Sequence, residues 1–133
     1  MISEFSVETS NRNILVEVTD LLEEAITRSE INEGILTAFV PHTTAGITIN
    51  ENADPSVKRD ILLTLEKLIP EHGDYKHAEG NSDSHLKASL FGSSETVLIH
   101  NGKLVLGTWQ GVYFAEFDGP RKRRLIVHID GEK

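Results

Sequence analysis

Residues 94–129, SETVLIHNGKLVLGTWQGVYFAEFDGPRKRRLIVHI, decide the fold class. Val97-Leu98-Ile99 and Leu104-Val105-Leu106 flank His100-Asn101-Gly102-Lys103, and Asn-Gly supplies the two positive-φ positions of a primed hairpin turn. Two further apolar runs follow, Val112 to Phe117 and Leu125 to Ile129. Asp118-Gly119-Pro120 between them reads as the turn of a second hairpin. The last third of the chain is all strand.

Working outward from that block, helices interrupt the strands. Phe5 and Val7 alternate with polar neighbours over Glu4 to Glu8, and Ile14 to Val18 forms a second strand after a turn at Asn11-Arg12-Asn13. These two are expected to pair as a hairpin. Asp20 with Glu23 resembles a capping box for a helix with Leu22 and Ile26 on one stripe, ending before Gly34. Ile35 to Val40, closed by Pro41, and Gly46 to Ile49 are short strands. Asp54-Pro55 starts a helix that carries Val57, Ile61, Leu65 and Leu68 at helical spacing and stops at Pro70. Glu71 to Ser82 is a polar loop, long enough to be functional, and Ser82 or Asp83 caps a short helix to Leu90. The order β-β-α-β-β-α-α-β-β-β-β has no βαβ rhythm. It predicts one α+β domain over residues 1–133, mainly antiparallel sheet layers with two to three packed helices.

Composition narrows the function. The chain has 133 residues, 13 Lys+Arg, 21 Asp+Glu, six His and no Cys, with a net charge of −8. Without cysteine there is no disulfide scaffold, thiolate metal site or cysteine nucleophile. An acidic chain is a poor partner for duplex nucleic acid and for anionic membranes. No apolar run reaches the roughly 18 residues of a membrane span, and the N-terminus lacks the pattern of a signal peptide, so a cytoplasmic protein is expected. Four of the positive charges form Arg121-Lys122-Arg123-Arg124, which leaves nine against 21 acids elsewhere, a background of −12.

Several clusters are candidates for chemistry. His42, in Val40-Pro41-His42-Thr43-Thr44-Ala45-Gly46, is a metal ligand or general base, or else part of a turn whose threonines satisfy local backbone. Glu51 is a candidate base or a carboxylate orienting a metal-bound histidine, or else only part of the turn leading into the Asp54-Pro55 helix start. His77 and His85 bracket Glu79, Gly80, Asn81 and Asp83. Neutral imidazoles of this kind suit zinc or a similar ion, although the spacing matches no zinc signature, or else the segment is a solvated loop with a polar helix cap. Trp109-Gln110 between Gly107 and Gly111 offers an aromatic plate and an amide, or a core tryptophan beside bulge glycines. Arg121 and Arg123 fall on one face of the last strand and form a grip for phosphate, or else protect an exposed edge.

These pieces together resemble the YjbQ-type family, whose members are described as secondary thiamine-phosphate synthases. The strongest match is Ser94-x-x-Val97-x-Ile99-x-x-Gly102-x-x-x-x-Gly107-Thr108-Trp109-Gln110-x-Val112. His42-Thr43-Thr44-Ala45, Asn50-Glu51 with Asp54-Pro55, His77, Gly80, His85-x-Lys87 and Asp118-Gly119-Pro120-Arg121 follow the family order. The resemblance implies a seven-stranded, two-sheet sandwich assembling as a homotrimer, with a divalent metal at His42, His77 and His85. The implied activity joins a pyrimidine pyrophosphate to a thiazole phosphate, giving thiamine phosphate and pyrophosphate. Arg121 and Arg123 would hold phosphate, Trp109 would stack on a ring, and Gln110 and Asn81 would orient the substrate. Three imidazoles favour zinc over magnesium, the hard ion usual for pyrophosphate departure. A zinc-type hydrolase of a small phosphorylated or amide substrate with Glu51 as base, and a non-catalytic metal or metabolite binder, are the alternatives.

Overall fold

The order of elements expected from the sequence is the order found in the computed structural model, which describes residues 1–133. It runs β1 (Ile2–Glu8), β2 (Ile14–Glu17), α1 (Thr19–Ser29), β3 (Glu33–Phe39), β4 (Ala45–Glu51), α2 (Pro55–Leu68), α3 (Ser82–Phe91), β5 (Ser94–His100), β6 (Lys103–Leu104), β7 (Gln110–Glu116) and β8 (Lys122–Glu132). The eight strands form two antiparallel sheets, β1-β8-β3-β5-β6 and β2-β7-β4. No helix is long and apolar enough to cross a membrane.

The pairing differs from the hairpin expectation. Only β5 and β6 form one, with Asn101 and Gly102 at φ 53° and 73°. β1 pairs with β8 and β2 with β7, so neither β1–β2 nor β7–β8 is a hairpin. The reason lies in β7. From Gly111 to Glu116 every residue is buried, so this strand needs cover on both faces. It finds it at the centre of the smaller sheet, between the larger sheet and a helical layer. Asp118-Gly119-Pro120 therefore carries the chain from one sheet to the other.

Two cores follow. Between the sheets, Val7, Leu36, Leu125 and Val127 meet Ile47, Val112 and Phe114, and Leu22 and Ile26 of α1 close one side. On the outer face of the smaller sheet, Leu15, Tyr113, Ala115 and Phe117 pack with Ala88 of α3, and Ile61, Leu62 and Leu65 of α2 lie against them. Asp54 caps α2 by accepting from the Ser56 amide at 2.9 Å. The capping box expected at Asp20 and Glu23 does not form. Glu23 instead accepts from the Leu104 amide at 3.4 Å, a tertiary contact that draws it away from the helix end. The outer face of the larger sheet is bare, with Ile35 beside Leu98 and Phe39 beside Ile126.

One ion pair joins the sheets. Glu116 ends β7, Arg123 lies at the start of β8, and both are buried. Arg123 Nε donates to Glu116 Oε1 at 2.8 Å and Arg123 Nη2 to Thr44 Oγ1 at 2.8 Å. Thr9 Oγ1 donates to the same carboxylate at 2.7 Å, and the amides of Phe117 and Asp118 donate at 3.1 Å. Burial alone would raise the carboxyl's pKa. Arg123, Thr9 and the Asp118 amide outweigh it and hold it below the ordinary 4.5.

Glu116→Gln leaves the guanidinium without its counter-charge and is expected to cost about 3–5 kcal/mol in urea unfolding. A loss below about 1 kcal/mol would show that the pair does not hold the sheets together. The folded-state value lies below the unfolded one, so the stabilisation is complete above about pH 4.5 and is lost as pH falls through the lower value.

Candidate functional site

Three connections converge beside that ion pair: residues 40–44 between β3 and β4, residues 69–81 between α2 and α3, and residues 117–121 between β7 and β8. They open a polar cavity of about 880 Å³ lined by His42, His77, His85, Asn81, Arg121 and Arg123, among others. The structure brings these six of the nine residues singled out in the sequence to one cavity. Their roles differ.

His77 and His85 are a pair, with ring centroids 5.4 Å apart at 88°. His85 projects from the first turn of α3 and borders two adjoining clefts as well, of about 570 and 530 Å³. His42 stands apart. Its Nε2 accepts from the Arg124 amide at 2.9 Å, and its ring lies edge-on to Phe114, 6.5 Å away. Burial and then the nearby Arg123 charge hold the His42 pKa below 6.5.

The two arginines diverge. Arg123 is 3% exposed and committed to Glu116 and Thr44, so it is no free phosphate grip. Arg121 is half exposed. Its Nε donates to the Asp118 carbonyl at 2.9 Å and its Nη2 to Asp118 Oδ2 at 3.2 Å, while Nη1 has no partner within the chain. Arg124 pairs with Glu4. Three of the four charges in the basic run are thus matched by carboxylates, and the cavity wall that carries Arg121 and Arg123 also carries Asp118 and Glu79.

Asp118, read as a turn residue, is the hub of the wall. It binds Arg12 at 3.3 Å and Arg121 at 3.2 Å, and accepts from Asn81 Nδ2 at 3.0 Å. Arg12 also reaches Asp83, itself paired with Lys87. Asp83 and Lys87 are buried in the first and second turns of α3, a polar girder under the cavity. With Nδ2 turned to Asp118, Asn81 Oδ1 is buried and unpartnered. Glu116, which takes the Asp118 amide, carried a sequence signal for the adjoining ion pair, being a charge inside an otherwise apolar strand that had to find a buried partner.

Glu51, Trp109 and Gln110 are elsewhere. Glu51 pairs with Gln110 at one end of the β4–β7 ladder, whereas Ala45 pairs with Glu116 at the cavity end. Six residues of strand separate the two ends, about 20 Å. Trp109 is 62% exposed, neither core nor cavity wall. Gln110 Oε1 accepts from the Gly107 amide at 2.8 Å and closes the local turn. Within one chain these three residues do not join the histidines.

The chain gathers no complete donor set for a divalent ion. His77 and His85 are close enough to act together, but no three His, Asp or Glu side chains gather at ligand distance. His42 fails as the third ligand because its Nε2 lone pair already receives the Arg124 amide. The depressed His42 pKa has a sign that can be measured. The unfolded ring takes up its proton near pH 6.5 and the folded ring only below that value, so stability rises with pH through this interval and levels off above about 6.5. Thermal melts on either side of it are expected to show that slope in the wild type and a flatter one in His42→Gln. Equal slopes would assign the titration elsewhere.

The family profile described as "UPF0047 protein YjbQ-like" matches residues 3–132. The UPF0047 protein of Methanocaldococcus jannaschii is 53% identical over 133 residues, covering 100% of this chain and 96% of that protein. YugU of Bacillus subtilis is 44% identical over 132 residues, covering 98% and 100%. A crystal structure of a yjbq/upf0047 family protein from Clostridium acetobutylicum superimposes with a TM-score of 0.95 at 57% identity, covering 96% of this chain and 99% of that one. A YbjQ-like protein of unknown function from Sulfolobus solfataricus gives 0.94 at 35% identity, covering 99% and 97%. The chain belongs to the YjbQ/UPF0047 family.

Proposed function

We propose that this protein is a small-molecule transferase acting on phosphorylated metabolites in the cytoplasm, of the thiamine-phosphate synthase type that the YjbQ resemblance implies. The observation that carries this reading is the convergence of unsatisfied recognition groups on one cavity. Arg121 Nη1 offers charge-assisted donors, and the His77–His85 pair faces the same space. In the transfer, the bond from the pyrimidine methylene carbon to the pyrophosphate oxygen breaks and the oxygen keeps the electron pair. The thiazole nitrogen lone pair forms the new bond to that carbon and carries the positive charge of the product. Arg121 holds the departing phosphates, and Asn81 positions it through Asp118, to which both side chains donate. The 570 Å³ cleft beyond His85, with Tyr75 and Leu86 in its wall, takes the role of ring plate that Trp109 cannot fill within one chain.

The cavity's charged side chains balance, so a pyrophosphate needs further positive charge. A divalent ion on His77 and His85 would supply it by neutralising the leaving group. Two imidazoles favour a zinc-type ion over magnesium. Hydrolysis with Glu51 as base is the weaker reading, because Glu51 is at the other end of the β4–β7 ladder.

Purified protein incubated with both precursors and Zn²⁺, Mn²⁺ or Mg²⁺ is expected to form thiamine phosphate. Arg121→Ala is expected to raise KM for the phosphorylated substrate about 10-fold or more, the loss of a charge-assisted hydrogen bond. Absence of product with every ion overturns transfer, and release of phosphate from simple esters would replace it with hydrolysis.

Self-association as a homotrimer accompanies the proposal. It is supported by the bare outer face of the larger sheet, where Ile35 is 45% and Leu98 58% exposed. Light scattering is expected to give three times the 14.8 kDa chain mass, and Ile35→Lys with Leu98→Lys to shift it toward the monomer. A wild-type monomer would remove the trimer.

A further inference from the structure

We infer that His42 is held as the neutral Nδ1–H tautomer and donates that hydrogen to a phosphoryl oxygen of the ligand, leaving any metal to His77 and His85. This deepens the function proposed above and rests on its reading of the cavity as a phosphate site.

The β3–β8 ladder ends at Phe39 opposite Ile126. The next rung would place residue 41 opposite Arg124, but the chain turns away at Pro41. The Arg124 amide would lose its strand acceptor there, and His42 Nε2 accepts from it at 2.9 Å in place of a carbonyl. A main-chain N–H can only donate, so Nε2 must present its lone pair. A neutral imidazole has one lone pair and one N–H, so the hydrogen is on Nδ1.

Nδ1 has no partner within the chain, and it is not among the buried atoms left without one. It is therefore accessible on a ring that lines the cavity shared with Arg121, whose Nη1 is also free. Two donors with no internal acceptor on one cavity wall match a ligand with several anionic oxygens. Metal ligation through Nδ1 would need the hydrogen on Nε2, directly against the Arg124 amide. The fixed tautomer thus separates the three histidines into one donor and two ligands. Burial and Arg123, which keep the ring neutral, act in the same direction.

Long-range ¹H–¹⁵N correlation spectra of histidine-labelled wild-type protein above pH 7 are expected to show Nδ1–H for His42. An Nε2–H pattern overturns the inference without recourse to variants. Calorimetry with inorganic pyrophosphate adds the ligand. His42→Gln keeps an acceptor for Arg124 but has no donor at the Nδ1 position, and is expected to weaken binding about 10-fold. His42→Asn places an amide N–H near Nδ1 and is expected to stay within about 3-fold of wild type. Co²⁺ absorption spectra are expected to be unchanged in both variants and lost in His77→Ala and His85→Ala. Undiminished pyrophosphate binding by folded His42→Gln, or loss of its Co²⁺ spectrum, overturns the role of His42 alone. Failure of the wild type to bind pyrophosphate, with Nδ1–H observed, overturns the phosphate reading of the cavity and the ligand assigned to His42 with it.

Discussion

The structure depends on a charge that has nowhere to go. Glu116 ends a strand buried on both faces, and a lone carboxylate there would be expelled. Arg123 from the opposite sheet, Thr9, and the amides of Phe117 and Asp118 share it. That requirement brings the ends of β7 and β8 together across two sheets, fixes Thr44 beside them, and directs the intervening corner toward solvent with Asp118 and Arg121 on it. The cavity is the space left over when these groups have found their partners. A buried pair of this kind contributes little net stability compared with an apolar substitute, but breaking it is costly. It specifies geometry more than it adds strength.

The order and type of the elements were legible because periodicity is local. Alternation over Glu4 to Glu8, the Asp54-Pro55 start and the Asn101-Gly102 turn each act within a few residues, and each appears as read. Partnership was not legible. Asp118-Gly119-Pro120 has the composition of a hairpin turn, yet its strands belong to different sheets. The clue was the unbroken burial demanded by Val112 to Phe117, which rules out a solvent-facing side. Glu23 shows the same limit on a smaller scale, since a capping residue can be drawn off by an amide 81 positions away.

For the site, the sequence identified the participants and misjudged the relations among them. The three histidines, Asn81 and both arginines do reach one cavity. Alternation placed Arg121 and Arg123 on one face but could not show that one is spent on Glu116 while the other keeps free donors. A formal charge of +4 over four residues is nearly cancelled in space by Asp118, Glu116 and Glu4. Linear charge counts miss such cancellation because the neutralising carboxylates come from other strands. Glu51, Trp109 and Gln110 were grouped with the histidines by motif, and the antiparallel register of β4 and β7 puts a strand's length between them.

The imidazole of His42 occupies two positions in the molecule's logic. It is the last rung of the β3–β8 ladder and part of the cavity wall. A proton on Nε2 would remove the rung as it changed the ring's charge, so acidity and sheet edge are mechanically coupled at one atom. The reverse also holds. Whatever secures the Arg124 amide in its strand also fixes which edge of the ring is left free, and the β-ladder sets the chemistry of a side chain that belongs to neither strand.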